Sequence, residues 1–230
     1  MLEAMLFNRK KNLETAPSAP TGFEALLMHF DSAVGSSSFI DVCGHIVTPV
    51  AGIGTASISA SNPKFGSTCG LFNGAVLQLD SPISLAGDFT MEAWVCRTAY
   101  SSQYSMLFSH GSDDFIFPMI FDWAGGPTRD YFGNYGVGAN NSGVPGLILN
   151  QYQHLACSRQ GSIFRQFING KTVYTASVAV STLPIQQLIG WKQLEYSLIG
   201  SVNELRILDG LAAYTNDFVP PTGRFGNPGT

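Results

Sequence analysis

The sequence predicts an all-β protein in which two antiparallel sheets pack face to face as a β-sandwich. Charged residues make up 12 % of the 230-residue chain, about half the share of an average soluble domain. Long surface helices need Glu, Lys and Arg on their solvent side. Short apolar or alternating runs recur between Gly, Asn, Pro and Ser, as in all-β proteins. No window of a dozen residues has the 3.6-residue period of a helix, so the strands must pack against other strands.

The chain divides into three parts. Residues 1–22 form an extended N-terminal arm that ends in the Pro-rich run APSAPTG, and such connectors stay extended. Residues 23–222 form the sandwich, and residues 223–230 form an extended C-terminal tail. The arm is either a docking segment or a frayed terminus, and the residues leave both alternatives open.

About fourteen strands are predicted from apolar or alternating runs bounded by turn residues. At most, residues 210–214 make a single helical turn. The predicted strands are 25–30, 46–50, 56–59, 71–72, 75–79, 88–97, 105–109, 115–121, 130–138, 153–159, 163–168, 172–178, 187–189 and 197–208.

The most informative local signals are one turn and one alternating strand. Asn169-Gly170 separates two strand-like runs and predicts a tight hairpin with a type I′ turn, because both central residues need positive φ. In the run 202–208, Leu205 and Ile207 share one face, so Glu204 and Arg206 share the other and are predicted to form an ion pair.

Composition and spacing exclude several classes of protein. The net charge of −4 argues against a nucleic-acid binder, which needs a basic face. The uncharged stretch 172–191 is rich in Thr, Ser and Gln and carries a Pro, unlike a membrane span. The N-terminus does not match a signal peptide.

The four cysteines have no close spacing, which argues against a zinc site. Cys43 and Cys69 remain candidates for a disulfide, and the opposite expectation is that both thiols are free.

The chain also resembles a known family over residues 26–221. The residues 87–95 (GDFTMEAWV) carry the resemblance most strongly. The other matching runs, in order, are 26–31 (LLMHFD), 39–44 (FIDVCG), 59–66 (SASNPKFG), 70–74 (GLFNG), 152–156 (YQHLA), 158–161 (SRQG), 167–171 (FINGK), 188–190 (LIG), 199–207 (IGSVNELRI), 213–214 (AY) and 218–221 (FVPP). Together they are similar to the laminin-G-like, concanavalin A-like jelly-roll domains, above all to the form found in bacteriophage virion proteins and bacterial surface proteins. The resemblance implies a jelly roll that recognises sugars or proteins non-covalently, although a fold alone does not fix function.

Glycanases occur among such jelly rolls, but the sequence argues against catalysis. Hydrolysis needs two carboxyl groups about 5–5.5 Å apart for retention or about 6.5–9.5 Å apart for inversion. The characteristic Glu-x-Asp-x-x-Glu strand is absent. Asp88 and Glu92 share a face of one strand at a separation of roughly 13 Å, which is too far. We therefore expect a protein that is not an enzyme. The four histidines are scattered without metal spacing, and each is expected to be structural.

The irregular region 113–152 is the best candidate for a binding site, because loops on a rigid sandwich commonly carry binding residues. Sugar sites stack an aromatic face against the ring and direct planar polar groups at its hydroxyls. A protein–protein contact and ordinary core packing remain alternatives. Trp191 is a further candidate, as an exposed aromatic residue. The proposed ligand-binding residues are Asp122, Trp123, Arg129, Asp130, Tyr131, Asn134, Tyr135 and Trp191.

No cofactor is predicted, and calcium is the one metal considered, because some related domains bind it through loop oxygens. A calcium site needs six to eight oxygens, several of them anionic. Asp31 with Asp41 is one candidate, and Asp113 and Asp114 with Asp122 form another. Solvated loop carboxylates are the simpler interpretation.

The functional hypothesis is a bacteriophage virion structural protein on the exterior of the particle. It would be a tail-tip, baseplate or fibre component with a lectin-like domain for contact with a host-surface glycan or a protein. A capsid decoration or head-fibre protein is the first alternative, and a bacterial carbohydrate-binding adhesion module is the second. Expected partners are other virion proteins through the arm and further copies of the chain, with a trimer favoured by the resemblance; nucleic acid and membrane insertion are not expected. Strand edges with little charge favour association, which fits a protein built into an assembly.

Overall fold

The computed structural model describes residues 14–15, 23–99, 106–109, 119–122, 130–133, 147–177, 182–191 and 196–226. Nineteen strands and no helix lie within these residues, which confirms the all-β prediction. None of this part of the chain forms a long apolar helix able to cross a membrane. The strands are β1 (Glu14–Thr15), β2 (Glu24–Met28), β3 (Phe39–Ile40), β4 (Ile46–Pro49), β5 (Thr55–Ser59), β6 (Cys69–Asn73), β7 (Leu77–Leu85), β8 (Phe89–Arg97), β9 (Phe108–Ser109), β10 (Met119–Asp122), β11 (Asp130–Gly133), β12 (Tyr152–Gln160), β13 (Ile163–Ile168), β14 (Lys171–Ser177), β15 (Leu183–Leu188), β16 (Gly190–Trp191), β17 (Tyr196–Ser197), β18 (Ile199–Asp209) and β19 (Phe218–Val219).

Two antiparallel sheets make the sandwich. The large sheet has eight strands in the order β14-β13-β12-β8-β18-β6-β5, with β2 pairing to β18 beyond the end of β6. The small sheet has five strands in the order β3-β4-β7-β15-β9. The central neighbours, such as β8 beside β18 and β7 beside β15, lie far apart in sequence, so the architecture depends on long-range pairing, as in a jelly roll.

The main core lies between the two sheets. Every second residue of each central strand points inward, and this face holds Leu205 and Ile207 of β18, with Leu77 and Leu85 of β7 opposite. Each such aliphatic side chain contributes about 1.5–3 kcal/mol when it leaves water. The alternation predicted for β18 is therefore confirmed on its inner face.

A C-terminal strap, residues 210–226, covers the outer face of the large sheet. Tyr214 and Phe218 pack there against Ala156 and Phe167, and Phe225 packs against Trp94. The centre of the large sheet is thus buried on both faces, which explains why all nine residues of β8 are buried. Residues 223–226, assigned to an extended tail from the sequence, lie against the sandwich.

The predicted hairpin at Asn169-Gly170 is confirmed. β13 and β14 pair antiparallel up to Ile168 opposite Lys171, and φ is 49° at Asn169 and 72° at Gly170. The Asn169 side-chain oxygen accepts a hydrogen bond from the His154 backbone N–H at 2.9 Å, which ties the turn to β12.

Residues 210–214 form no helical turn. Their backbone groups bond to side chains of the large sheet instead of to each other: the Ala213 N–H donates to Thr90 Oγ1 at 2.8 Å, and Thr90 Oγ1 donates to the Leu211 carbonyl at 2.9 Å. The sequence does not predict the very short strands β1, β3, β16 and β19, because two residues show no periodicity. It also does not predict the second half of β7 or the first four residues of β15. All four cysteines are free, so the disulfide considered between Cys43 and Cys69 is absent from the structure.

Candidate functional site

The region predicted to bind a ligand contains a short antiparallel hairpin, β10–β11. Its register places Asp122 directly opposite Asp130, and Phe121 opposite Tyr131. Three of the proposed binding residues therefore come together along the backbone of one two-stranded ribbon. The other members of this region, Trp123, Arg129, Asn134 and Tyr135, lie outside the described residues, as do the calcium candidates Asp113 and Asp114.

The expectation that Trp191 is exposed is wrong. Its side chain is 2 % exposed and belongs to the main core. The short strand β16 places it there by pairing with β17, with Trp191 opposite Tyr196. A ring buried in this way has no face open to a sugar, so Trp191 is a packing residue.

The two other calcium candidates hold the chain together instead. Asp31 accepts two hydrogen bonds from the Arg224 guanidinium, at 2.6 and 2.7 Å. Asp41 is buried and accepts backbone N–H bonds from Leu27, Cys43 and His45 at 2.7–3.1 Å. No group of three or more metal-ligating side chains occurs among the residues that the structure describes.

A buried group of ionisable residues lies under the strap, around the carboxylate of Glu92 on β8. Arg206 donates through Nε to Oε1 at 2.9 Å and also through Nη2. His154 Nε2 lies 2.9 Å from Oε2, and the Tyr214 hydroxyl donates to the same oxygen at 2.8 Å. Burial alone would raise the pKa of Glu92, but the Arg206 charge and the His154 hydrogen bond outweigh it and lower the pKa to about 2. The carboxylate is therefore ionised and can only accept hydrogen bonds.

A second buried carboxylate, Glu204 on β18, fixes the end of the strap. Its Oε2 lies 2.7 Å from His29 Nδ1 and accepts the Phe225 backbone N–H at 3.2 Å. Arg224 Nε lies 3.9 Å from Oε1. Burial raises the pKa of Glu204, and the hydrogen bond and charge of His29 only partly oppose this effect.

The ion pair predicted between Glu204 and Arg206 is wrong. Both residues do lie on the outer face of β18, but Arg206 pairs with Glu92 across the sheet and Glu204 pairs with His29. In the register of β8 and β18, Arg206 lies directly opposite Glu92. Directly opposite positions on neighbouring strands are closer than positions two residues apart along one strand. Arg206 therefore pairs with Glu92 and not with Glu204.

Aromatic rings enclose the Glu92 cluster. The His154 ring makes edge contacts with Trp94, Tyr214, Phe218 and Phe225 at centroid distances of 5.1–6.2 Å. His154 itself has no solvent exposure, which confirms it as a structural histidine. The cluster thus ties β8, β12, β18 and the strap together, and its carboxylate is closed to any substrate. Sequence reasoning missed this role of Glu92, although a lone acid inside the apolar run FTMEAWV (89–95) is a signal of a paired buried charge.

The family assignment rests on the strands that build this sheet. A sequence profile of the laminin-G-like group, described as the concanavalin A-like lectin/glucanases superfamily, matches residues 73–212. The chain belongs to the concanavalin A-like lectin/glucanase superfamily. The matched residues extend from the end of β6 to the beginning of the strap, and they include Glu92, His154 and Arg206.

Solved structures share the lectin/glucanase fold at low sequence identity. Domain 4 of AbnA, an extracellular arabinanase from Geobacillus stearothermophilus, in complex with arabinotriose, has a TM-score of 0.54 and 19 % identity; the match covers 74 % of this chain and 86 % of that domain. A Trypanosoma rangeli sialidase mutant displaying trans-sialidase activity has a TM-score of 0.55 and 13 % identity, over 88 % of this chain but 34 % of the sialidase. The binding domain of botulinum neurotoxin serotype G has a TM-score of 0.51 and 12 % identity, over 83 % and 49 %. No curated protein sequence matches the chain. At these identities the likeness concerns the fold alone.

Proposed function

We propose that the protein is a non-enzymatic carbohydrate-recognition domain of a bacteriophage virion, placed in the tail tip, baseplate or a fibre. The observation that carries the recognition part is the β10–β11 hairpin of a lectin/glucanase-type sandwich. It brings Asp122, Asp130 and Tyr131 to neighbouring register positions. Carboxylates accept hydrogen bonds from hydroxyls, and a tyrosine ring offers an apolar face and a polar tip, so these residue types are ones that sugar sites use.

The likeness to domain 4 of the arabinanase supports a glycan as ligand. That domain was solved with arabinotriose, and the match covers 86 % of it, so the part compared is a carbohydrate-bound domain nearly in full. Function is a property of sites and not of folds, and the glycan itself has to be identified by binding measurements.

The ion pairs made by the two buried glutamates support recognition without catalysis. Glu92 and Glu204 are the buried glutamates of the described residues, and both are engaged by side chains of this chain beneath the strap. A glycosidase needs one carboxyl group able to donate a proton and a second one facing the same bond. Glu92, with its pKa lowered to about 2, does not meet the first requirement near neutral pH.

The virion setting is supported by the motif subtype, by the N-terminal arm and by the low charge of the sandwich. The arm approaches the strap where β1 pairs with β19, with Glu14 opposite Phe218. We place the docking segment in the residues before Glu14. A capsid decoration or head-fibre protein and a bacterial adhesion module remain the alternative settings.

A binding measurement tests the recognition part. The intact domain is titrated with arabinotriose and with purified bacterial surface polysaccharides, and Trp123→Ala and Tyr131→Ala are each expected to weaken binding at least tenfold. Phe23→Ala is the matched control, because Phe23 is an aromatic residue that is 38 % exposed outside the predicted site. Equal weakening by all three variants, or no binding to any glycan, would contradict glycan recognition.

Immunogold electron microscopy tests the setting. An antibody against the sandwich is expected to label the tails of intact phage particles from a host that expresses the protein. Deletion of residues 1–13, which keeps β1, is expected to leave a folded domain that no longer joins particles. Labelling of capsids would favour the decoration alternative, and labelling of bacterial surfaces without phage would favour the adhesion module.

A further inference from the structure

Among the described residues, strand β14 is the longest edge strand of the large sheet. It has seven residues and pairs with β13 on one side only. The opposite edge strand, β5, is partly covered, because Ile58 exchanges backbone hydrogen bonds with Gly35 and Ser36. In the small sheet the described edge strands, β3 and β9, have two residues each. β14 is therefore the edge of this structure best able to pair with another strand.

The register shows which backbone groups of β14 point outward. Asn169 N–H bonds to the His154 carbonyl, so the alternate residues Phe167, Arg165 and Ile163 direct their backbone groups towards β12. Their partners on β14, Thr172, Thr175 and Ser177, consequently direct theirs away from the sheet. The Thr172 N–H confirms this direction, because it donates to Asp217 Oδ1 at 2.9 Å.

Thr175 and Ser177 are the two outward-directed residues of β14 beyond its bulge. No hydrogen bond leaves the outer side of Thr175 or Ser177 among the described residues, and both residues are exposed. Natural edge strands are normally protected by Lys, by Pro or by a bulge that twists them away. The bulge of β14 lies before Tyr174, and no charge or Pro occurs from Thr172 to Ser177. The segment from Tyr174 to Ser177 therefore has none of these three protective features.

We propose that β14 pairs antiparallel with β14 of a second copy of this chain, so that the two large sheets become one continuous sheet. A two-fold axis at Ala176 places Thr175 opposite Ser177 of the partner subunit, and Ser177 opposite Thr175 of the partner subunit. Each pair then exchanges both of its hydrogen bonds. Ala176 lies opposite Ala176 of the partner subunit in a non-hydrogen-bonded pair, where the side chains of an antiparallel sheet come closest. A small side chain fits at that position.

Charge favours a second copy as the occupant of this edge. The chain carries no charged residue from Thr172 to Trp191, and Lys171 at the start of β14 is already paired with Asp217 at 3.3 Å. Arg165 is the nearest remaining charge on the outer face. Two such residues would be three strand spacings apart, about 14 Å, which exceeds the Debye length of about 8 Å at physiological ionic strength. Two copies therefore meet without appreciable repulsion.

The symmetry of this contact has a consequence for the assembly. Antiparallel pairing of one edge with itself is isologous and closes after two copies. It gives a dimer in place of the trimer expected from the family resemblance. The contact is independent of the proposed glycan site, so either proposal can fail without the other.

Sedimentation equilibrium of the full chain tests the dimer, over protein concentrations from about 1 µM to about 500 µM. The wild-type protein is expected to shift from monomer to dimer within this range. Thr175→Lys is expected to raise the dissociation constant at least tenfold, because it places a charge at the contact. Thr55→Lys is the matched control, since Thr55 is an exposed threonine at the start of the opposite edge strand, and it should leave the dissociation constant unchanged.

Hydrogen exchange on the unmodified protein gives a second readout that needs no variant. The Thr175 and Ser177 amides are expected to exchange at least tenfold more slowly at the high concentration than at the low one. A monomer at every concentration would overturn the proposal. A trimer, an oligomer that Thr175→Lys leaves intact, or amides whose exchange does not depend on concentration would overturn it as well.

Discussion

The Glu92 carboxylate and the His154 imidazole face each other at 2.9 Å, and neither side chain is exposed to solvent. They belong to neighbouring strands, β8 and β12, and the strap closes over them through the Tyr214 hydroxyl, 2.8 Å from the same carboxylate oxygen. A charge taken out of water is costly unless charged and hydrogen-bonding partners surround it. Here the partners come from three separate stretches of chain, so the cluster forms only when those stretches are assembled.

Replacing Glu92 by glutamine should destabilise the fold strongly. Glu92→Gln keeps the size of the side chain but leaves Arg206, which is 3 % exposed, without its counter-charge. Removal of one member of a buried ion pair typically costs about 3–5 kcal/mol. Urea unfolding followed by tryptophan fluorescence measures this loss in the free energy of unfolding.

Asp209→Asn is the control for this substitution. Asp209 is an exposed acid at the end of β18, and surface changes of this kind stay within about 0.5 kcal/mol. If the two variants were equally stable, Glu92 would not be the anchor that the geometry indicates.

The stability of the protein should fall in acid because Glu92 must be protonated. Its pKa is about 2 in the folded protein and 4.5 as the ordinary value. A carboxyl group with a lowered pKa stabilises the fold above its unfolded-state pKa, and this contribution is lost as the pH falls through the folded-state value. For a pKa shift of this size, the ionised Glu92 carboxylate contributes about 3 kcal/mol to the free energy of unfolding. This contribution should disappear between pH 4.5 and pH 2.

The comparison of wild type with Glu92→Gln isolates this effect, because all other groups titrate in both proteins. The difference between their free energies of unfolding should be constant above pH 5 and should shrink by about 3 kcal/mol towards pH 2. Glu204 acts in the opposite direction, since burial raises its pKa and its protonation relieves the cost of a buried charge. A difference that does not depend on pH would contradict the assignment to Glu92.

The strand pattern could be predicted from sequence because its signals are local. The β13–β14 hairpin follows from Asn169-Gly170, and the inner face of β18 follows from alternation at Leu205 and Ile207. Turn chemistry and two-residue periodicity are properties of neighbouring residues, and no knowledge of distant chain is needed.

The partners of the buried charges could not be predicted in the same way. Arg206 meets Glu92 from 114 residues earlier in the chain, and Glu204 meets His29 from 175 residues earlier. Trp191 lies in an uncharged, polar stretch that suggested an exposed position, yet its pairing with β17 buries it. Which outer face is covered depends on where the strap lies, and this is decided by tertiary packing.

The thiols should react according to their burial. Cys43 is exposed, whereas Cys69, Cys96 and Cys157 are buried. Partial burial and the neighbouring charges of Asp41 and Glu24 raise the pKa of Cys43 to about 11, so about one molecule in 10⁴ carries the reactive thiolate at pH 7. Iodoacetamide should therefore label the native protein once and slowly, and label all four sites after unfolding, as read by intact-mass spectrometry. Cys43→Ser should abolish the native label, and a mass two daltons low before reduction would instead reveal a disulfide.

The turn between β13 and β14 should tolerate no side chain at Gly170. A Cβ added there would lie 2.0 Å from the Phe218 carbonyl oxygen, a backbone atom of the strap, and φ is +72°. Gly161 has a similar φ of +56° but open space around the same position. Gly161→Ala should therefore cost about 1 kcal/mol for the left-handed conformation alone. Gly170→Ala should cost about 2 kcal/mol more, because the strap has to move away from β13 and β14. Denaturant unfolding of the two variants measures the difference, and equal losses would mean that the strap does not press on this turn.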